Sequence, residues 1–139
     1  VSIYCVGRDV QVRARFLSIM PLIYEYDLPW PPSVNDYYHR HHAGVSLKKA
    51  GRKFRRDVTM IVKSKGAHET LTGPIKMDIY AWPPDRRRRD IDNILKALLD
   101  AMEFAGIYHN DYQIEKLNIE RYESNGKGNV LVAIQEIEV

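Results

Sequence analysis

Two adjacent prolines near the middle of the chain separate two different hydrophobic periodicities. Before Pro83 and Pro84, residues 74–82 alternate apolar and polar side chains, which predicts a β-strand. After them, residues 85–93 are mostly charged, and apolar side chains then recur at helical spacing from Ile91 to Met102. Because proline cannot continue a strand ladder, the chain has to leave the strand, cross a charged segment and enter a helix. This order requires a fold that mixes strands with helices.

The rest of the sequence supplies the other elements of that fold. Residues 22–28 alternate as a first strand, and residues 47–65 form a basic amphipathic helix with Ser46 as its N-cap and Gly66 at its end. Between them, the His- and Arg-rich residues 38–45 are expected to form a mobile polar loop. Two further strands, 114–122 and 130–139, flank a turn-rich segment and predict a hairpin.

The predicted order is therefore β-α-β-α-β-β. It indicates an α/β (α+β) fold with a small mixed β-sheet of about four strands and two main helices packed on one face.

Length and composition define the domain and its compartment. A chain of 139 residues suits one domain. Residues 1–19 show neither clear periodicity nor a cap, so we expect an N-terminal extension there and a single domain over 20–139 that begins near Met20. No apolar stretch is long enough for a bilayer, and none resembles a signal-peptide core. The single cysteine, Cys5, fits a reducing cytoplasm.

The charged segment carries the chemistry. Four arginines, residues 86–89, precede Asp90 and Asp92. Guanidinium groups bind phosphate bidentately, and two close carboxylates suit a hard cation such as Mg²⁺, so the pattern indicates metal-assisted phosphodiester hydrolysis. Residues two apart point about 200° from each other on a regular helix. The two carboxylates can converge only if Asp90 precedes the helix and Asp92 lies in its first turn.

Other charged residues extend the prediction. Lys96 shares a helix face with Asp92, where it forms either a surface ion pair or a cation that orients the carboxylate or contacts the scissile phosphate. Asp100 continues the same stripe and is expected to be structural, because it lies two turns away. The basic helix serves either solubility or phosphate binding. The net charge of only +3 does not decide between these roles.

Two different functions stay open at this point. A non-catalytic DNA-binding protein would use the same basic surface, with the carboxylates as helix caps. A zinc site could be built from Cys5, His39, His41 and His42, although adjacent histidines point apart on an extended chain. Incubation of DNA with and without Mg²⁺ separates the enzyme from the binding protein.

Three blocks of the sequence resemble the RusA-type Holliday-junction resolvase family. These are residues 83–97, residues 28–38 and residues 100–114, and the resemblance runs from about residue 22 to residue 136. It implies a homodimeric, Mg²⁺-dependent endonuclease that resolves four-way DNA junctions by paired symmetric nicks, with Mn²⁺ as a possible substitute. It also implies a bacterial or phage-infected cell.

The resemblance assigns roles to individual residues. It implies that Asp90, Asp92 and Asp111 are the catalytic metal ligands and that Lys96 is an essential lysine. We expect Arg89 to lie nearest the metal among the cations that hold the DNA backbone. The predicted DNA-binding residues are Arg86, Arg87, Arg88, Arg89, Lys49, Arg52, Lys53 and Arg56.

The position of Asp111 poses a geometric problem. A helix over residues 91–105 is about 22 Å long, and Asp111 follows its far end. Residues 106–111 span at most about 20 Å when extended. We expect Asp111 to return along the helix within the same chain. The alternative is that it comes from the partner subunit.

Overall fold

The structure is a computed structural model that describes residues 22–66 and 69–138. The predicted N-terminal extension, which includes Cys5, lies outside these residues. So does its predicted boundary near Met20. Within these ranges, no helix is both long enough and apolar enough to cross a membrane. The elements in chain order are β1 (Ile23–Pro29), α1 (Val34–Tyr37), β2 (Tyr38–His41), β3 (Gly44–Leu47), α2 (Lys49–Ser64), β4 (Ile75–Trp82), α3 (Leu95–Phe104), β5 (Ile114–Arg121) and β6 (Asn129–Glu136).

The main sheet has four strands in the order β1-β6-β4-β5. Strand β6 is antiparallel to both β1 and β4, whereas β4 and β5 are parallel. The two long helices are α2 and α3, and a short 3₁₀ helix (Ile91–Ile94) leads into α3. The predicted α+β fold with a mixed sheet of four strands is confirmed.

One face of the sheet carries the core. Every second residue of β4 is buried, as its alternating sequence predicts. The helices cover this face with the apolar stripes that their helical spacing indicated. The fully buried side chains of the two central strands are Ile75, Met77, Ile79, Val130, Val132 and Ile134.

The predicted hairpin between the last two strands is wrong. Strand β4 lies between β5 and β6, so these two strands are not neighbours in the sheet. The segment that connects them crosses the end of β4. The Tyr122 N–H donates to the Ala81 carbonyl at 2.8 Å, and the Asn125 N–H donates to the Pro83 carbonyl at 3.2 Å. The prediction failed because long-range pairing decides the strand order. Strand β5 pairs with one edge of β4, and β6 pairs with the other edge.

The expected polar loop and the expected helix start also differ from the structure. The segment forms an antiparallel hairpin, β2–β3, in which Tyr38 pairs with Leu47. Ser46 belongs to β3, and α2 begins at Lys49 without a side-chain cap. The half-buried Tyr38 and Leu47 pack against the core and anchor the hairpin. Pairing across the hairpin therefore takes Ser46 out of the helix.

Candidate functional site

The candidate site lies at one end of the sheet, which we call the arginine end. Strands β1, β4 and β5 all finish there: Pro29 and Trp82 both pair with Asn129, and Ala81 pairs with Arg121. The segment that follows β4 carries the four arginines and leads to the carboxylates. The opposite end of the sheet, where β4 and β5 begin, is called the far end.

Asp85 organises the arginine segment. Its carboxylate pairs with Arg89 Nη1 at 2.7 Å and with Arg87 Nη2 at 3.0 Å, and it accepts the Arg87 N–H at 2.9 Å. The hydrogen bonds from Arg89 and then Arg87 hold the pKa of the Asp85 carboxyl well below its usual range. These contacts close the segment into a compact loop.

Arg89 is bound within the arginine segment itself. Its guanidinium is turned onto Asp85 and lies 5.8 Å from the centre of the Trp30 ring, and its side chain is only 18% exposed. It also donates to the carbonyls of Asp85 and Arg87 at 3.2 Å. The Arg89 side chain is therefore committed to holding the loop, and its expected place as the cation nearest the metal stays a prediction.

Two arginines of the run remain available to a ligand. Arg86 and Arg88 are exposed, and neither forms an ion pair within the described part of the chain. Arg121, which the sequence pattern did not indicate, joins them because β5 runs parallel to β4 and ends beside the loop. Its Nη1 donates to the Arg89 carbonyl. The arginine end of the sheet therefore carries one more cationic side chain than the four arginines at residues 86–89.

Asp90 and Asp92 lie where the spacing argument places them. Asp90 precedes the 3₁₀ helix in extended conformation (φ −78°, ψ 138°) without a side-chain capping bond, and Asp92 lies in the first turn. Both are exposed, and across residues 22–66 and 69–138 neither carboxylate takes part in a hydrogen bond or an ion pair. Two uncommitted carboxylates therefore flank the arginine loop.

Asp90 lines a cleft formed by two of the three sequence blocks, residues 28–38 and residues 83–97. One wall is the arginine loop, and the other is the segment after β1, including Trp30, Ser33 and Asp36. Gly128 allows these walls to approach each other: it has φ +85°, and a Cβ there would lie 2.8 Å from Pro84 Cβ and 3.1 Å from Trp30 Cβ. The block of residues 28–38 therefore supplies the wall opposite the arginine loop and Asp90.

Lys96 makes none of the predicted contact with Asp92. Within the described ranges it has no ion pair, and its Nζ lies 6.0 Å from the centre of the Tyr38 ring. Burial is the main cause that raises the pKa of the Tyr38 hydroxyl, and Asp100 adds to it. Lys96 is exposed in the first turn of α3, directly after the 3₁₀ helix that carries Asp92, and remains free to contact an anion.

Asp100 has the structural role that its position indicated. It accepts the hydroxyl of the fully buried Tyr37 and pairs with Arg55, with Nε at 2.9 Å and Nη2 at 2.8 Å. The Arg55 guanidinium also lies 4.6 Å from the centre of the Phe104 ring. Asp100 thus joins α1, α2 and α3.

The four predicted DNA-binding residues of α2 are exposed, but not all of them are uncommitted. Arg52 donates to the Leu47 carbonyl at 2.6 Å, and Lys53 pairs with Asp57 at 2.6 Å. Lys49 and Arg56 make no ion pair within the described part of the chain. The predicted phosphate-binding role of the helix stays a prediction.

Asp111 does not join the other aspartates within one chain. It begins the 3₁₀ turn before β5, at the far end, where Ile114 pairs with Ile75, and its N–H donates to Glu103 Oε1 at 2.9 Å. The six steps from Ile75 to Ala81 alone rise about 20 Å. The expected return along the helix fails because the segment before Asp111 is used for packing, with Ile107 and Tyr108 buried.

Across the described residues, no group of three or more His, Cys, Asp or Glu side chains is close enough to hold a metal ion. His39 and His41 share one face of β2, with ring centroids 5.9 Å apart, and Cys5 lies outside the described residues. A single chain therefore offers two carboxylates at one end and the third at the other.

A cationic loop beside two uncommitted carboxylates defines the class of site used in metal-assisted phosphodiester cleavage. The model of the family described as Endodeoxyribonuclease RusA matches residues 29–135. The chain therefore belongs to the RusA endodeoxyribonuclease family. This finding confirms both the resemblance and the prediction of a nuclease, and it disfavours a binding protein without catalysis.

Similar proteins of the curated set carry the same family name. The crossover junction endodeoxyribonuclease RusA of Shigella sonnei is 35% identical over 114 residues, which cover 82% of this chain and 95% of the relative. The corresponding protein of Enterobacteria phage HK97 is 34% identical over 115 residues, 83% of this chain and 96% of the relative. The corresponding protein of Escherichia coli K12 is 34% identical over 114 residues, which cover 82% of this chain and 95% of the relative.

Proposed function

We propose that this chain is a Mg²⁺-dependent endonuclease that cuts four-way DNA junctions by paired symmetric nicks and works as a homodimer. The observation that carries the proposal is the pair of uncommitted carboxylates, Asp90 and Asp92, beside a cationic loop in a chain of this family. The names of its relatives supply the substrate class, and the charge of the arginine end suits a DNA backbone.

The donor set at the arginine end fits a hard divalent cation. Asp90 and Asp92 offer only carboxylate oxygens, the ligands that Mg²⁺ prefers, and this ion usually retains several waters beside one or two carboxylates. Two protein ligands from one chain are therefore enough to begin a site. A bound divalent ion would neutralise charge on the phosphate and acidify a water molecule.

A second copy of the chain would bring the third aspartate to the other two. Each chain carries Asp90 and Asp92 at the arginine end and Asp111 at the far end, about 20 Å away along the sheet. In a two-fold dimer, a contact made by the first subunit to the second is repeated in reverse. If the arginine end of one copy meets the far end of the other, both composite sites are completed at once. Two sites related by symmetry would account for two symmetric nicks.

The remaining side chains divide the binding work. Within the part of the chain that the structure describes, Lys96 forms no ion pair, and it would stabilise the charge that develops on the phosphate during cleavage. Arg86 and Arg88 would hold the backbone beside the scissile bond, and Arg87 would add to them while paired with Asp85. Glu103 fixes the backbone of Asp111 through the 2.9 Å hydrogen bond. It acts as a positioning residue.

The test is nicking of a synthetic four-way junction beside a linear duplex of the same arms, with Mg²⁺ titrated. We expect Mg²⁺-dependent nicks in the junction and far slower cleavage of the duplex. Asp92→Asn should abolish nicking and retain junction binding, whereas Glu138→Gln, which removes an exposed carboxylate near the C-terminus, should leave nicking unchanged.

Two results would count against the proposal. Retained cleavage in Asp92→Asn would refute the metal assignment. Junction binding without any nicking at every Mg²⁺ concentration would instead support the non-catalytic DNA-binding protein. Arg88→Ala should weaken binding across sequences and reduce the slope of log affinity against log salt by about 1.

A further inference from the structure

We propose that a second cleft at the arginine end binds one unstacked nucleotide, with its phosphate held by Arg86 and Arg121 and its base stacked on Tyr122. The inference rests on the proposed function, because it concerns how the junction strand is held beside the cleavage site. This nucleotide subsite is lined by residues 85–89 of the arginine loop and by Arg121, Tyr122 and Ser124.

The aromatic part of the subsite is already built as a stack. The rings of Trp82 and Tyr122 are 5.2 Å apart and nearly parallel, at 18°, and Tyr80 lies 6.3 Å from Tyr122. These side chains lie on the sheet face that the helices do not cover, because Trp82 alternates with the buried Ala81. Tyr122 is 44% exposed. Nearly half of the surface of Tyr122 is thus accessible to a ligand at the edge of this aromatic cluster.

The cationic part of the subsite comes from two separate elements. Arg86 belongs to the loop after β4, and Arg121 ends β5 on the strand beside it. The bond from Arg121 Nη1 to the Arg89 carbonyl fixes its guanidinium and leaves its other N–H groups available. Asp85 also faces the cleft, but its carboxylate is committed to Arg87 and Arg89. The uncommitted charge of the cleft is therefore positive.

An exposed aromatic ring beside free guanidinium groups is the combination that holds single-stranded nucleic acid. Bases within a duplex are stacked on each other and present no free face. Taking a base out of the stack costs least where it is already unpaired, so we expect a lower cost where strands open at a branch point than within the arms. A nucleotide at the branch point therefore suits this cleft better than one within an arm.

The position of the subsite gives the contact a consequence for cleavage. Arg87, Arg88 and Arg89 line both this cleft and the cleft that contains Asp90. A nucleotide stacked on Tyr122 would therefore be a near neighbour of the phosphate at the carboxylates. Its capture would decide where along the strand, relative to the branch point, the cut falls.

The test compares bases with bare backbone, using the full-length protein in EDTA so that no cleavage occurs. The probes are labelled oligothymidine and an oligomer of the same length with abasic sites, titrated by fluorescence anisotropy. Base stacking should make oligothymidine bind at least about fivefold more tightly in the wild type. We expect Tyr122→Phe to retain this preference and Tyr122→Leu to lose it.

Two cation variants complete the design. Arg86→Ala should weaken binding of both probes by a similar factor, because it removes a phosphate contact. Lys63→Ala removes an exposed cation of α2 outside the cleft and should leave the preference at its wild-type value. Melting temperatures of all variants show whether each one is folded.

Equal binding of the two probes by the wild type, or an unchanged preference in Tyr122→Leu, would overturn the subsite. Failure of the proposed function gives a different result. If the wild type prefers oligothymidine but never nicks a junction, the nucleotide subsite stands and the proposed nuclease activity is refuted. If both hold, Tyr122→Leu should need about fivefold more protein for half-maximal nicking and should shift the cut position.

Discussion

The carboxylate of Asp100 supports three helices, and its removal should lower the stability of the fold without removing a catalytic group. It accepts the hydroxyl of Tyr37, whose side chain is fully buried, and pairs with Arg55 at 2.8 Å. Side-chain exposure is 19% for Asp100 and 26% for Arg55. The interaction is therefore largely shielded from solvent, unlike a surface ion pair.

The magnitude follows from what each substitution leaves behind. Asp100→Ala leaves the buried Tyr37 hydroxyl without its acceptor and Arg55 without its partner, which costs about 3 kcal/mol in the free energy of unfolding. Asp100→Asn keeps an acceptor for Tyr37 but removes the charge, which costs about 1–2 kcal/mol. For a domain of this size, the loss in Asp100→Ala corresponds to a fall in Tm of roughly 10 °C.

The assay is denaturant and thermal unfolding followed by circular dichroism, with junction nicking measured well below the transition. We expect the order wild type, Asp100→Asn, Asp100→Ala in stability, and nicking within a few-fold of wild type in Asp100→Asn. Unchanged stability in Asp100→Ala would refute the reasoning. If the Asp100→Asn protein is stably folded but no longer nicks the junction, Asp100 takes part in catalysis and its role is not only structural.

Two further predictions concern packing and pH. Gly128→Ala should destabilise the fold by about 1–3 kcal/mol, because the backbone has φ +85° and the added Cβ would meet Pro84 at 2.8 Å; thermal melting checks this value. Burial is the main cause that raises the pKa of both Tyr37 and Tyr108 above the ordinary value of about 10. Their neutral forms stabilise the fold fully below pH 10, and this contribution is lost as pH rises above it. Denaturant titrations from pH 8 to 11 should show that loss, and it should be smaller in Tyr37→Phe.

Local sequence patterns predicted the elements well where each strand or helix buries one face. The alternation before Pro83 marks β4, and the stripe from Ile91 to Met102 marks the 3₁₀ helix and α3. The same reasoning located Asp90 before the helix and Asp92 in its first turn. These predictions depend only on periodicity and on the geometry of a helix start, which are local properties.

Predictions that depended on long-range pairing were less successful. A turn-rich segment between two strands looks the same whether the strands are neighbours or flank a third strand, so the position of β4 between β5 and β6 was not visible. The same pairing brings Arg121 beside the arginine loop and puts Asp111 at the far end. Their places are set by parallel pairing of β5 with β4, which no local motif records.

The most direct test of the composite site mixes two inactive proteins. Asp92→Asn and Asp111→Asn are refolded together in equal amounts, and junction nicking is measured with Mg²⁺. If each site combines carboxylates of two chains, half of the dimers are mixed and each mixed dimer has one intact site, so nicking should recover to about a quarter of wild type.

The matched control is a mixture of Asp90→Asn with Asp92→Asn, which leaves no intact site in any dimer and should stay inactive. We predict that nicking activity recovers only in the mixture of Asp92→Asn with Asp111→Asn, and that each mixed dimer nicks one strand of the junction and not two. No recovery in either mixture, with mixed dimers shown to form, would contradict a site shared between the subunits.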